Sequence, residues 1–231
     1  MKSDKAVIIA AGGSGRRFGE QNKLFEMLGN MPVFLHSVKN FLEVCPPENI
    51  IISAPPEEKE RFIADIDKYL YGKDFKIVPG GSERMISVKN ALDILPENIK
   101  YVAVHDAARP LAPASLLMEC FRKAEEHGGA VAAKPVTDTI KRADSEQFIV
   151  ETLNRSELWA METPQVFNLA LFREAYENAL EAGKIFTDDA GIMEFSGHRV
   201  FLVVNPFPNI KITYASDIVL AESFSPPHST L

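Results

Sequence analysis

Ala6-Val7-Ile8-Ile9-Ala10-Ala11-Gly12-Gly13-Ser14-Gly15-Arg16-Arg17-Phe18-Gly19, with Lys23 just beyond it, is the stretch on which the reading of this chain turns. A continuous β-branched apolar run predicts a strand buried on both faces, as in a parallel sheet. It stops at a glycine cluster, where backbone N–H groups can approach a ligand and turn toward it. Two arginines and a lysine then bring fixed positive charge to the same place, which suits phosphate.

Three readings compete for this loop, besides an ordinary strand-to-helix turn with solvated arginines. A dinucleotide fingerprint fails on spacing, because Phe18 stands where the third glycine should be. A Walker-type loop fails because no glycine precedes Lys-Ser or Lys-Thr at the required distance. The loop of nucleotidyltransferases remains, in which glycine backbone and basic side chains share a triphosphate.

Outward from this stretch, short apolar segments alternate with helical patterns. Strands are expected at 50–54, 76–78, 101–105 and 130–133, and helices at 32–44, 56–71, 87–95 and 116–127, the last ended by Gly128-Gly129. Such alternation implies right-handed βαβ units in a mostly parallel sheet, with ligands beyond the carboxyl ends of the strands. The Gly12 loop, Gly80-Gly81 and Asp106 all fall at strand ends, so they are expected to share one crevice. The alternation then breaks. Residues 139–143 and 148–152 flank Asp144-Ser145-Glu146-Gln147 and read as a hairpin with too little apolar surface to stand alone. It is expected to pack on a second subunit. Helices at 168–181, 188–195 and 215–223, strands at 200–204 and 210–212, and a frayed Pro/Ser-rich tail at 225–231 complete the expectation.

The 231 residues suit one α/β domain; 46% are apolar and 25% charged. A net charge of −7 speaks against a large nucleic-acid footprint, so an anionic ligand must be held by a local basic cluster. Cys45 and Cys120 are far apart and read as buried free thiols rather than a disulfide or zinc site. No leader-like or membrane-length apolar span is seen, and a cytoplasmic protein is expected.

Four further segments carry chemistry. His105-Asp106-Ala107-Ala108-Arg109-Pro110 follows a strand, so Asp106 can face a bound Mg²⁺ or a hydroxyl and Arg109 can hold a phosphate; an Asp cap with a surface arginine is the plainer alternative. Gly80-Gly81-Ser82-Glu83-Arg84 with Ser87 can read a base edge, or can be a glycine turn capped by Ser82. Residues 154–165 offer Arg155 and Thr163 to a phosphorylated alcohol, with Trp159 as packing. Lys211 lies in an apolar segment and either snorkels or meets an anion. His105 is expected to be a satisfied structural histidine.

Taken together, Ala10-Ala11-Gly12 with Gly15-Arg16-Arg17, Lys23, Gly80-Gly81 with Glu83-Arg84 and Ser87, residues 105–110, Asp138-Thr139-Ile140-Lys141-Arg142, Arg155 with Leu158-Trp159, Thr163-Pro164-Gln165 and Asn209-Ile210-Lys211-Ile212-Thr213 resemble the 2-C-methyl-D-erythritol 4-phosphate cytidylyltransferase family. The resemblance runs through nearly the whole chain in the family's order. It implies a Rossmann-like three-layer α/β sandwich forming one nucleotidyltransferase domain over 1–231. A protruding β-arm at about 137–155 would interlock in a homodimer. It also implies Mg²⁺-dependent transfer of CMP from CTP, with no nucleic-acid or membrane partner. Carried over by position, Arg17 and Lys23 stabilise the transition state, and Arg155 and Lys211 position the substrate phosphate. Asp106, Arg109, Thr139 and Thr163 line the methylerythritol site. Ala10, Ala11, Gly12, Gly15, Gly81, Ser82, Ser87 and Asp106 meet the nucleotide, and Mg²⁺ is held mainly through phosphates, with Asp106 as its protein neighbour. The sequence departs from the family's pattern in a glycine loop one residue longer, in Asn22-Lys23-Leu24 and in Ser82. A ribitol 5-phosphate cytidylyltransferase and an inactive nucleotide-binding regulator are the competing readings.

Overall fold

The computed structural model describes residues 3–12, 22–71, 73 and 75–224. In chain order the elements are β1 (Lys5–Ala10), β2 (Met27–Leu28), β3 (Met31–Pro32), α1 (Val33–Phe41), β4 (Ile50–Ala54), α2 (Lys59–Leu70), β5 (Lys76–Pro79), α3 (Arg84–Leu92) and β6 (Tyr101–Asp106). There follow α4 (Ala114–His127), β7 (Gly129–Pro135), β8 (Lys141–Ala143), β9 (Ile149–Thr152), β10 (Trp159–Asn168), α5 (Leu169–Glu181), α6 (Asp189–Phe195), β11 (Phe201–Val204) and α7 (Ser216–Ser223).

Seven strands form one sheet in the order β11-β7-β10-β6-β1-β4-β5. Six run in one direction and β10 runs against both of its neighbours. The opening stretch sits where its apolar run demands. β1 pairs with β4 on one side and β6 on the other, and Ala6, Val7, Ile8 and Ile9 are fully buried. Its side chains alternate between two cores, because successive Cβ atoms in a strand point to opposite faces. Val7 and Ile9 join Phe34, Phe41, Phe62 and Phe121 from α1, α2 and α4. Ala6 and Ile8 join Val88, Leu92, Phe172 and Tyr176 from α3 and α5. Helices therefore cover both faces in the expected three layers. Burying one such aliphatic or aromatic side chain contributes about 1.5–3 kcal/mol, so the two cores hold the sheet rigidly beneath its loops. The sheet order reverses between β1 and β6, and that switch point is where an α/β sheet opens a crevice.

Helix ends follow local chemistry. Asn168 caps α5 by accepting from the N–H of Ala170 and Leu171, and Gly128, at φ 85°, closes α4 in the left-handed conformation that glycine adopts without steric penalty. Three expectations need correction. The helix expected over 56–71 begins as a 3-10 turn, Pro56–Glu58, because prolines at 55 and 56 remove the first amide donors. No strand forms at 210–212. That segment is tied instead through the Ile212 N–H to the Ala108 carbonyl and through the Ile212 carbonyl to Lys23 Nζ. The antiparallel β10 was not expected at all, since Glu162, Thr163, Pro164 and Gln165 interrupt its apolar pattern. Proline in a central strand argues against that assignment; here it lies within the register shift between Met161 and Gln165.

The hairpin is present as a separate two-stranded sheet, β8 with β9. Asp144 Oδ1 accepts from the amides of Glu146 and Phe148 and fixes the turn. Phe148, Ile149 and Val150 are 68%, 68% and 62% exposed. The hairpin leaves and rejoins the sheet between β7 and β10, where Pro135 pairs with Trp159 and Lys134 with Ala160.

Candidate functional site

The carboxyl ends of the parallel strands are drawn together by main-chain hydrogen bonds. Ala11 N–H donates to the Ser53 carbonyl at 2.8 Å, Gly80 N–H to that of Ala54 at 2.7 Å, and Ala107 N–H to that of Ala10 at 3.1 Å. Gly12 packs so closely that an added Cβ would lie 2.8 Å from Ser87 Oγ. The helix cap expected of Ser82 does not form, and Ser87 ties the glycine turn to α3 instead. Its hydroxyl accepts from Gly81 N–H at 2.9 Å and donates to the Glu83 carbonyl at 3.1 Å, whereas α3 has no side-chain cap.

These ends surround a cavity of about 410 Å³, within the range that holds a small ligand. Its walls include Ala10, Ala11, Gly12, Lys23, Gly81 and Ser82, together with Arg84, Ser87, Asp106 and Lys211. A smaller cavity of about 140 Å³ adjoins it, with Arg109, Thr163, Gln165 and Asp188 among its walls. Arg84, Asp106 and Lys211 line both, so they form the partition between them.

The partition is dense in charge. Asp106 Oδ2 accepts from Lys211 Nζ at 2.7 Å, and its Oδ1 accepts from Arg84 Nε at 3.3 Å. Arg109 Nε stands 3.7 Å from the same carboxylate, and Arg109 Nη1 donates to the Asn209 carbonyl at 2.7 Å. Burial alone raises the Asp106 pKa, but Arg84, Lys211 and Arg109 outweigh it and hold the carboxyl well below its ordinary range. Lys211 thus meets an anion within the protein while its side chain stays 44% exposed toward the crevice.

Behind the partition, His105 is satisfied as expected. Its Nε2 lies 3.1 Å from the Arg109 carbonyl, which can only accept, so Nε2 carries the proton. Nδ1 is then the acceptor for Thr163 Oγ1 at 3.0 Å, and that oxygen accepts from Asp106 N–H at 3.1 Å. Burial pushes the His105 pKa down to about 4, overriding its hydrogen bond to Arg109 and the nearby Asp106. Glu162 supports the same wall, accepting from Asn205 Nδ2 and from Asn209 Nδ2.

Not every expected residue gathers here. Thr139 and Arg155 lie on or beside the hairpin, are exposed and line neither cavity; Arg155 Nη1 donates to the Thr137 carbonyl at 2.8 Å. Gly15 and Arg17 lie outside the described residues. Sequence reading gave no role to Arg84, Glu162, Gln165 or Asp189. The doublet Asp188-Asp189 at a helix start was the available signal for the last, since one carboxylate caps the helix and leaves the other for a different partner. Cys45 and Cys120 are buried and free, as expected, and burial pushes both thiols up to about 12. Among the described residues no three His, Cys, Asp or Glu side chains gather as a metal cage. The one carboxylate lining both cavities is already shared by cations. That donor set fits an ion such as Mg²⁺ brought in mainly on ligand phosphates, not one held by protein alone.

A sheet of this topology, with glycine backbone, serine hydroxyls and cations at its switch point, defines an α/β enzyme of the nucleotidyltransferase class. The family model described as IspD: 2-C-methyl-D-erythritol 4-phosphate cytidylyltransferase matches residues 5–225. A relative of that name from Caldanaerobacter subterraneus subsp. tengcongensis is 41% identical over 220 residues, covering 95% of this chain and 97% of its own. One from Bacillus cytotoxicus is 39% identical over 219 residues, covering 94% and 96%. The crystal structure of the 2-C-methyl-D-erythritol 4-phosphate cytidylyltransferase of Thermus thermophilus matches with a TM-score of 0.78 at 28% identity, covering 96% of this chain and 98% of its own. The 4-diphosphocytidyl-2C-methyl-D-erythritol synthase of Anaerococcus prevotii matches with a TM-score of 0.81 at 26% identity, covering 95% and 94%. The chain belongs to the 2-C-methyl-D-erythritol 4-phosphate cytidylyltransferase family.

Proposed function

We infer that this chain transfers CMP from CTP to 2-C-methyl-D-erythritol 4-phosphate, giving 4-diphosphocytidyl-2-C-methyl-D-erythritol and pyrophosphate in isoprenoid precursor synthesis. The observation that most supports this is the pair of adjoining cavities with one charged partition, as a reaction between two anionic substrates requires. CTP takes the glycine-lined cavity, with Ala10, Ala11, Gly12, Gly81, Ser82, Ser87 and Asp106 about it. The phosphorylated alcohol takes the smaller one, beside Asp106, Arg109, Thr163 and Lys211.

The nucleophile is the substrate's own phosphate oxygen. Its second pKa is about 6, so it is anionic at neutral pH and no protein base is needed. It attacks the α-phosphorus of CTP, a new P–O bond forms, and the bond to the β-phosphate oxygen breaks as pyrophosphate leaves. The task of the protein is to bring anions together and to hold the charge that builds at the α-phosphorus. Arg17 and Lys23 are assigned to that charge, and Lys211 and Arg155 to the acceptor phosphate. Mg²⁺ bound with the triphosphate would supply further charge neutralisation, and Asp106 is the residue that would neighbour it. Lys23→Ala is expected to lower turnover by ~10²-fold or more, as removal of a preorganised donor does elsewhere.

Thr139 and Arg155 lie outside both cavities of their own chain, and the hairpin beside them exposes Phe148, Ile149 and Val150. This supports a homodimer in which each arm covers apolar surface on the other copy and delivers Thr139 and Arg155 to its acceptor cavity. The reduced, buried Cys45 and Cys120 are in keeping with a cytoplasmic enzyme. The deciding experiment is pyrophosphate release by purified protein with CTP and Mg²⁺, comparing 2-C-methyl-D-erythritol 4-phosphate with ribitol 5-phosphate. Release with the first and little with the second is expected. Preference for ribitol 5-phosphate, or release with neither, overturns the reading.

A further inference from the structure

Arg84 holds an unusual place. It stands in the first turn of α3, directly after the glycine turn, and its guanidinium is forked between two carboxylates from different elements. Nη1 donates to Asp189 Oδ2 at 2.6 Å, and Nε donates to Asp106 Oδ1 at 3.3 Å. Asp189, at the start of α6, has a wholly buried side chain, and its other oxygen accepts from Tyr176 OH at 2.7 Å. The amides of Asp189 and Ala190 both donate to Gln165 Oε1, at 3.1 and 3.0 Å, which fixes the backbone that carries the carboxylate. A buried carboxylate is costly unless paired, and Arg84 is its ion-pair partner. Asp189 and Tyr176 line neither cavity. Their chemistry is spent on holding one arginine, and that arginine is part of the partition.

We propose that Arg84 is a positioning residue for the acceptor phosphate, clamped by the Asp189–Tyr176 pair so that it holds one oxygen of Asp106 and leaves Lys211 and Arg109 with charge to offer. The proposal rests on the assignment of the smaller cavity to the phosphorylated alcohol. Arg84, Arg109 and Lys211 face Asp106 and Asp189, which leaves the cluster one positive charge in surplus. Without the clamp, Asp106 can turn both oxygens to Lys211 and Arg109. Both cations are then drawn onto the carboxylate and turned away from the position an incoming dianion would take. Because Arg109 lines the acceptor cavity and not the larger one, the effect falls most heavily on binding of the alcohol. A lysine at this position carries the charge but cannot make a planar two-carboxylate fork.

The test is steady-state kinetics on Arg84→Lys, Asp189→Asn and Tyr176→Phe, with KM for 2-C-methyl-D-erythritol 4-phosphate, KM for CTP and kcat measured separately, beside thermal unfolding. Arg84→Lys and Asp189→Asn are each expected to raise the acceptor KM about ten-fold or more, the scale of a lost charged hydrogen bond, and to raise KM for CTP, which shares the Asp106 wall, by a clearly smaller factor. Tyr176→Phe keeps the packing volume and removes only the hydrogen bond to Asp189; a smaller rise in the acceptor KM alone is expected. An unchanged acceptor KM in Arg84→Lys shows that bare charge suffices and overturns the proposal. Parallel loss of both KM values, kcat and thermal stability reduces the clamp to a structural role and also overturns it. Absence of pyrophosphate release by the wild-type protein strikes instead at the assignment of function.

Discussion

Gly81→Ala is the sharpest perturbation the structure offers. A Cβ built on Gly81 falls 2.4 Å from Ile86 Cγ2 and 2.5 Å from Ile86 Cβ. Favourable carbon–carbon contact begins at about 3.5 Å, so more than about 1 Å must be recovered. Rotating Ile86 does not recover it, because Cβ is fixed to the α3 backbone and is as close as the methyl. The glycine turn must therefore move, and with it Gly81 N–H, which Ser87 Oγ holds at 2.9 Å. Overpacking of this kind costs about 1–3 kcal/mol. A displacement of about 1 Å in a positioning segment costs on the order of 10²-fold in rate. Gly81→Ala is expected to lower the thermal midpoint by several degrees and kcat/KM for CTP by about 10²-fold, measured by pyrophosphate release. Adding Ile86→Ala removes the methyl contact but leaves Cβ at 2.5 Å, so it restores only part of the loss. A Gly81→Ala protein with wild-type kcat/KM for CTP, or full rescue by Ile86→Ala, refutes this account of the turn.

Three further outcomes are expected. Thr163→Val deprives Asp106 N–H of its acceptor and His105 Nδ1 of its donor in a buried site, at about 2 kcal/mol in urea unfolding, while Thr163→Ser recovers most of it; equal midpoints for all three proteins contradict the network. Burial lowers the His105 pKa from 6.5 to about 4, so between these values the unfolded chain binds more protons and stability falls as pH drops, by about 3 kcal/mol in all. His105→Gln lacks this dependence, and urea midpoints from pH 4 to 7 that keep the wild-type slope in the variant rule it out. Replacing Phe148 and Ile149 together by Asp is expected to convert dimer to monomer in sedimentation velocity and to abolish most activity; a variant that remains dimeric removes the arm from the interface.

Much of this architecture was legible because it is periodic. β1, β4 and β6 are apolar along most of their length, as strands covered on both faces must be, and α1, α2 and α4 each bury one apolar face. β10 was hidden because its buried face carries Glu162, Thr163 and Gln165, polar groups that exist to hold the site. Lys211 was visible as a lysine in apolar company, but its place in an irregular segment was not, since that segment is held by Lys23 and Ala108 from distant parts of the chain. Arg84 could be quoted but not understood. Its meaning lies in Asp189, more than a hundred residues away, and no local pattern encodes that pairing.

Pro135 and Trp159 face each other across the β7–β10 ladder, so the excursion of residues 136–158 starts and finishes on a single rung. An insertion, a deletion or a spliced tag at its tip can therefore be absorbed while the sheet below keeps its alignment. The rungs that follow, Ala160 with Lys134 and Met161 with Ala133, run from the base of the hairpin to Glu162, so the arm and the wall of the smaller cavity share a single strand.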